Sequence, residues 1–454
     1  MSPRPRSTGP CREMLGNSRP RLVSLVAIAA IVLGACGSSS PKGAGGTTDS
    51  GNPGATRFAT AAPPPAVTGT ITGPGVTSDT ITIGQITTTS GPVPGLFQDA
   101  NDGLDAYVAY LNANGGIDGH TIKLIHLDDG LDCTRYSNEL AQLSTEAFAI
   151  VGSLTVVDTC GEKQLKQLPT LPDIAALELS PSLYSYTNVF TPAPAPPGFS
   201  TTGYQWIKDK FPKDITKVAT LVGAVTAPNG KEQELAAESI GYKYLYKRLI
   251  GSSETNFTSD ILRMKKDGVK IVDLSSLPVQ LDVDFLQQAN QQNLHLDAVI
   301  SPTAYDSHLF KLLGNPALAN DILFAPLGYV MYLGQDRSKV PELNTFLTWL
   351  DKEHPGESAS IFSVSAWGAG VLFDEAMSKA GPTIDRASLV NALNSIGTFN
   401  TNGLTAPVDI GKRQGAHCIV VAEVTGGQWR RVDPSSGFEC NGTYHSVPLS
   451  ALSG

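Results

Sequence analysis

The sequence predicts an α/β protein of two lobes, each a parallel sheet covered by helices. Three observations predict it. Short β-branched or apolar runs alternate with amphipathic helical stretches between Thr80 and Ile300, and alternation with short connections makes strands parallel with helices on both faces. The units are too many for one small sheet, so they divide into two. The chain has 454 residues, 41% hydrophobic and 17% charged, which is enough to bury real cores in two to three domains.

The first strand is Thr80-Ile81-Thr82-Ile83-Gly84-Gln85-Ile86, with alternating β-branched residues. From Gln98 the period becomes helical, placing Ala100, Leu104, Tyr107, Val108 and Leu111 on one face until Asn114-Gly115-Gly116 stops it. A strand over 121–127, a helix over 139–145 and a buried strand over 148–151 follow, closed by Gly152. Next come strand 174–177, helix 204–211, strand 218–222 and helices 232–240 and 259–266. Strand 271–274, helix 285–292 and strand 298–300 complete the alternation. Beyond residue 330 helices dominate, over 342–352, 366–379 and 386–393. A hairpin ends the body, 417–424 turning at Gly426-Gly427 into 429–432.

The N-terminus carries an export signal. Arg4, Arg6, Arg12, Arg19 and Arg21 precede an apolar run from Leu22 to Leu33, which is shorter than the ~20 residues a spanning helix needs. Leu33-Gly34-Ala35-Cys36, followed by Gly37 and three serines, resembles the bacterial lipobox. That resemblance implies that Cys36 becomes an acylated mature N-terminus, palmitate among its chains, holding the protein on the extracytoplasmic side of the cell membrane; two or more chains anchor stably where one is marginal. An ordinary signal peptide with an incidental cysteine is the competing reading. Translation from Met14 would shorten the signal and remove Cys11. Residues 37–78, rich in Gly, Ser, Thr, Pro and Ala with scarcely a large apolar side chain, read as a disordered tether.

Formal net charge is −9, and no Lys/Arg stripe follows the signal, which argues against a nucleic-acid partner. Of six cysteines, Cys133, Cys160, Cys418 and Cys440 remain in the exported part. Four allow three pairings; proximity favours Cys133–Cys160 and Cys418–Cys440, each worth roughly 3–4 kcal/mol in the chain-entropy model. No Cys-x-x-Cys or clustered His supports a metal. His-Glu-x-x-His, Gly-x-Ser-x-Gly and phosphate-binding glycine loops are all missing from the sequence, and the adjacent Asp128 and Asp129 point to opposite faces of a strand end that reads as solvated. Neither an enzyme nor a cofactor is expected.

An ordered set of blocks then resembles the type I periplasmic solute-binding proteins of the branched-chain amino-acid and amide transport family. The blocks are Ile83-Gly84, Ser90-Gly91-Pro92, Asp105-Ala106-Tyr107, Leu111-Asn112-Ala113-Asn114-Gly115-Gly116-Ile117-Asp118-Gly119, Leu127-Asp128-Asp129, Ile150-Val151-Gly152, Phe190-Thr191, Thr255-Asn256-Phe257-Thr258-Ser259 and the closing Gly426-Gly427-Gln428-Trp429-Arg430-Arg431-Val432. The resemblance implies two doubly wound parallel-sheet lobes joined by three crossing strands, near 200, 328 and 407, with a small-molecule ligand in the cleft between them. The expected division is a signal over 1–36, the tether, an N-lobe of 79–200 plus 329–406, a C-lobe of 201–328 plus 407–446, and a tail over 447–454. Cys133 and Cys160 lie close to a first-lobe disulfide of some members.

By the same resemblance, the ligand loops of the N-lobe are Ser153-Leu154-Thr155-Val156 and Ser180-Pro181-Ser182-Leu183-Tyr184, with Ser90 and Phe97 from the first strand–helix loop. The C-lobe offers Asn229, Ser275 and Thr303. Each Ser or Thr has a helix cap as its alternative role, and Phe97 and Tyr184 are cleft walls or ordinary packing. Amino-acid-binding members commonly have an acid aligned with Thr303 and an aromatic aligned with Asn229; neither stands here, though Asp306 or Asp158 could substitute. A desolvated ammonium without a carboxylate is costly, so an amide, a carboxylate or an aromatic acid is at least as good an expectation as a branched-chain amino acid. The function implied is uptake through the membrane permease of an ABC transporter. A sensor signalling to a membrane receptor is the alternative, and an anchored hydrolase the third reading.

Overall fold

A computed structural model describes residues 58–452 except 178, 179, 181 and 252. The apolar run, Cys36 and the first part of the tether lie outside the described residues, as does Pro181.

The N-terminal sheet has five parallel strands in the spatial order Thr121–Asp128, Thr80–Thr87, Ala149–Val151, Asp173–Ile174 and Val189–Phe190. Thr80–Thr87 is covered on both faces: Ile81 and Ile83 join the core under helix Gln98–Ala113, while Ile86 packs with Leu140, Leu143 and Leu165 opposite. Gly84 lets helix Cys133–Glu146 approach, since a Cβ there would collide with Leu143.

The second sheet has seven strands. Tyr244–Ile250, Val218–Gly223, Ile271–Asp273, Ala298–Ile300 and Leu323–Leu327 are parallel neighbours in that order, and the hairpin Val420–Thr425 with Gln428–Asp433 adds antiparallel strands at the far edge. In both sheets the strand that comes first in the chain sits between the second and the third. This is a doubly wound order, with a topological switch point between the first and third strands.

Three crossings link the sheets. The chain leaves the first sheet after Phe190, returns after Leu327 and leaves again before Val420. The second and third crossings pair, with Ala406 N–H donating to Gly328 O (2.8 Å) and Val330 N–H to Leu404 O (3.0 Å). Between them, helices Pro341–Glu353 and Ile361–Lys379 pack on helix Gln98–Ala113. Gly103 and Gly370 make that packing possible: a Cβ at Gly103 would meet Ser363 O, and one at Gly370 the Tyr107 ring.

One sequence expectation is corrected. Residues 58–78 do not form part of a free tether. Thr70–Ile71 pairs in parallel with Thr383–Ile384, Val67 and Ile71 are buried, and Tyr110 OH donates to Ala62 O (3.0 Å). Asn344 Nδ2 donates to Ala59 O (3.0 Å) and Thr345 Oγ1 accepts from Ala61 N–H (2.8 Å). Two apolar side chains and the preset backbone of Pro63-Pro64-Pro65 suffice because helices supply the surface they cover. The expected tail is also tied at its start, Val447 N–H donating to Pro197 O (3.0 Å).

Cys133 is bonded to Cys160 and Cys418 to Cys440. Among the described residues no helix is long and apolar enough to cross a membrane. Gly103→Ala is expected to destabilise by about 1–3 kcal/mol through overpacking, whereas Gly397→Ala, whose Cβ meets nothing within 4 Å, should change stability by no more than about 0.5 kcal/mol. Urea denaturation of both variants checks this; equal midpoints would contradict the helix packing.

Candidate ligand cleft

The carboxyl end of the first strand is fixed by two carboxylates. Asp128 accepts from the N–H groups of Thr89 (2.9 Å), Ser90 (3.0 Å) and Gly130 (3.2 Å) and from Ser90 Oγ. Burial raises its carboxyl, but these hydrogen bonds outweigh burial and hold it well below the usual carboxylate range. Asp129 is buried and accepts from Thr88 Oγ1 (2.8 Å) and Leu131 N–H (2.8 Å). The acidic pair therefore holds a loop and is not a solvated strand end.

The other N-lobe positions divide by side chain. Leu154 and Leu183 are buried in the core. Phe97 is buried too, with its ring edge-on to Phe362 at 5.1 Å. Thr155 is buried and its Oγ1 accepts from Thr88 Oγ1 (3.2 Å) and Val157 N–H (3.1 Å). Ser182 Oγ donates to Glu162 Oε1 (2.6 Å). Tyr184 OH donates to Arg413 O (2.7 Å), tying this loop to the third crossing. Asp158, a possible substitute acid, accepts from Ser180 Oγ and from Thr159 N–H (2.8 Å); burial pushes its carboxyl up to about 6.

The C-lobe loops converge on a cavity. Ser275 is held by Asp273, which accepts from Ser275 N–H (2.9 Å), Ser275 Oγ and Tyr204 OH (2.7 Å). Ser276 Oγ donates to Gln233 Oε1 (2.9 Å) and Thr226 Oγ1 donates to Ser276 O (2.9 Å), joining this loop to helix Ala227–Ser239. Thr303 Oγ1 donates to Leu277 O (2.6 Å), beside Ser301 Oγ, which donates to Asp282 Oδ2 (2.7 Å). Asp306, the other possible acid, accepts from His308 N–H (2.6 Å) and lines a separate cavity with Tyr332 and Arg337.

A cavity of about 210 Å³ lies at the switch point of the second sheet, where the loops after its first and third strands diverge. Asn229 and Ser275 line it, with Pro302 beside Thr303. Its other walls are crossing segments: Ala193 and Phe199 from the first, Gly328 from the second, Ala416 and Ile419 from the third. Ser90, Phe97, Leu154, Thr155, Ser182, Leu183 and Tyr184 do not line it and neither does Thr303, so of the expected site residues the structure brings together Asn229 and Ser275. Most of the lining was not named from the sequence, and its one carboxylate among the described residues, Glu232, was missed. Glu232 stands one helical turn after Asn229 on the same face, and that i, i+3 spacing just past a strand end is the signal that could have found it. Burial pushes its carboxyl up to about 7, against a lowering hydrogen bond from Gly198 N–H (3.0 Å).

The fold agrees with comparisons to known proteins. The family model for periplasmic binding proteins matches residues 80–428, well over half of the chain. The chain belongs to that family and has the type I fold, which makes it a solute-binding protein whose place is outside the cytoplasm. Solved structures it is similar to include a fatty acid ABC transporter substrate-binding protein from Thermomonospora curvata (17% identity, TM-score 0.66, 83% of this chain and 95% of that one). Another is a branched-chain amino acid ABC transporter protein from Thermus thermophilus with bound valine (15% identity, TM-score 0.65, 81% and 98%). A third is the substrate-binding protein LivJ from Streptococcus pneumoniae in complex with isoleucine (14% identity, TM-score 0.60, 78% and 100%). Comparison with curated proteins finds no match.

The buried carboxyls set a pH dependence. Burial raises Asp158 to about 6 and Asp173, Glu232 and Asp374 each to about 7. The folded chain therefore keeps protons that the unfolded chain loses near pH 4. Their stabilisation is complete below about pH 4 and is lost as pH rises through 6–7; the lowered Asp128 acts oppositely, but only in more acidic solution. The melting temperature should fall by several degrees between pH 5 and pH 8 in a calorimetric series. A flat or rising trend would contradict the burial of these groups.

Proposed function

We propose that the chain is a lipid-anchored receptor that captures a small organic solute (an amino acid, an amide or an organic acid) between its two sheets and delivers it to the permease of an ABC transporter. The observation that carries the reading is the cavity at the second sheet's switch point, walled by all three crossings. Ligands of open α/β sheets bind in that crevice, and a solute touching the crossings acts where the lobes turn on one another. The valine and isoleucine seen in two of the similar proteins, and the fatty-acid title of the third, favour a solute with an apolar body. Cys36, after the apolar run, supports anchoring at the outer membrane surface of the cell.

The test is a thermal-shift screen of protein starting at Arg57, where the compact unit begins. Amino acids, amides and small organic acids are the solutes. A ligand at 100 times its Kd should add about 2.7 kcal/mol of stability. A melting point that none of the three classes moves would contradict the receptor reading.

A further inference from the structure

The hinge cavity is chemically lopsided. Its walls are mostly apolar, among them Ala193, Pro194, Phe199, Ile300 and Ile419, and no Lys, Arg or His among the described residues lines it. Glu232 is the one acid among the described residues that does. That side chain is only 5% exposed, and one of its oxygens, Oε1, accepts the Gly198 N–H at 3.0 Å. Among the described residues the other oxygen, Oε2, accepts no hydrogen bond from the chain. Gly198 is itself in a position that excludes a side chain, with a positive φ of 133° and a Cβ that would strike His445 O. Its N–H is thus fixed on the first crossing and holds the carboxyl beside the cavity.

A carboxylate buried among apolar walls with a single hydrogen bond is under-compensated. A ligand N–H is the chemistry that completes it, and an ammonium adds the missing countercharge. A ligand carboxylate would instead place like charges in a low-dielectric space. The size, about 210 Å³, suits a compact molecule. Asn229 on the same helix face supplies both a donor and an acceptor for a second polar group.

Resting on the receptor reading above, we infer that Glu232 determines specificity: it accepts the N–H end of a small ligand, an ammonium or primary amide on an apolar body, and turns away simple carboxylic acids. The residue does so from a helix position and not from the loop ends where the acid was sought at Thr303.

The probes that test this share one branched skeleton and differ only in the head group: isoamylamine, isovaleramide and isovalerate. Calorimetric titration at pH 8, above the carboxyl's raised range, is made on wild-type protein and on Glu232→Gln. Wild type should bind the amine or the amide at least about tenfold more tightly than the acid, and Glu232→Gln should lose that preference for the amine by a similar factor. Gln keeps the acceptor for Gly198 N–H, so its melting point should stay near wild type; if the variant does not fold, the wild-type ranking alone decides. Equal binding of the three probes, binding of none, or an unchanged ranking in a folded variant overturns the assignment. The receptor reading itself falls only if the broader solute screen also moves nothing.

Discussion

Parallel strand pairing around a switch point is the constraint on which the cleft depends. In each sheet the first strand lies between the second and the third. The helices that follow the first and third strands must then lie on opposite faces: in the first sheet, Gln98–Ala113 packs in one core and Glu162–Gln167 in the other. Their connecting loops part, and the parting leaves a crevice at the carboxyl ends of the strands. The second sheet repeats the order, and there the crevice becomes a cavity because the three crossings close its floor.

A second regularity holds the loops in place. At one strand end after another a serine hydroxyl donates to a carboxylate: Ser90 to Asp128, Ser180 to Asp158, Ser275 to Asp273 and Ser301 to Asp282. These pairs leave little loop freedom to be lost when a solute arrives, which is how preordering favours binding. They also explain why buried acids are so common here. At Asp158, Asp273 and Asp282 burial outweighs these hydrogen bonds and raises the carboxyl, whereas Asp128, which also pairs with Arg135 (3.1 Å), is held low.

Much of the architecture was legible because period and composition agree along the chain. Thr80–Thr87, Gln98–Ala113, Val218–Gly223 and Ala298–Ile300 all lie where the pattern puts them. Strand Tyr244–Ile250 was missed. It is an edge strand carrying Lys247 and Arg248, whose salt bridges to Glu234, Glu238, Glu254 and Asp260 protect the edge but break the apolar run. Strand Leu323–Leu327 was missed as well; it is central yet contains Pro326, which normally argues against such a place. The site was less legible than the fold. Positions just past a strand can be placed by that strand, as Asn229 and Ser275 show, but whether a hydroxyl faces solute or an internal carboxylate depends on residues far away in sequence. Ser90 meets Asp128, and Tyr184 meets Arg413. Glu232 escaped because it stands a turn deeper in helix Ala227–Ser239 than Asn229, away from the strand end.

The claim at the centre is that a solute is held where the strand ends of both sheets face one another. The most direct measurement is a crystal structure of the protein with a solute found in the thermal screen. The account predicts density against Asn229 or Ser275 and, across the cleft, against the loops that follow Thr80–Thr87 or Ala149–Val151. Density lodged away from both switch points, or touching one sheet alone with the lobes unmoved, would contradict it.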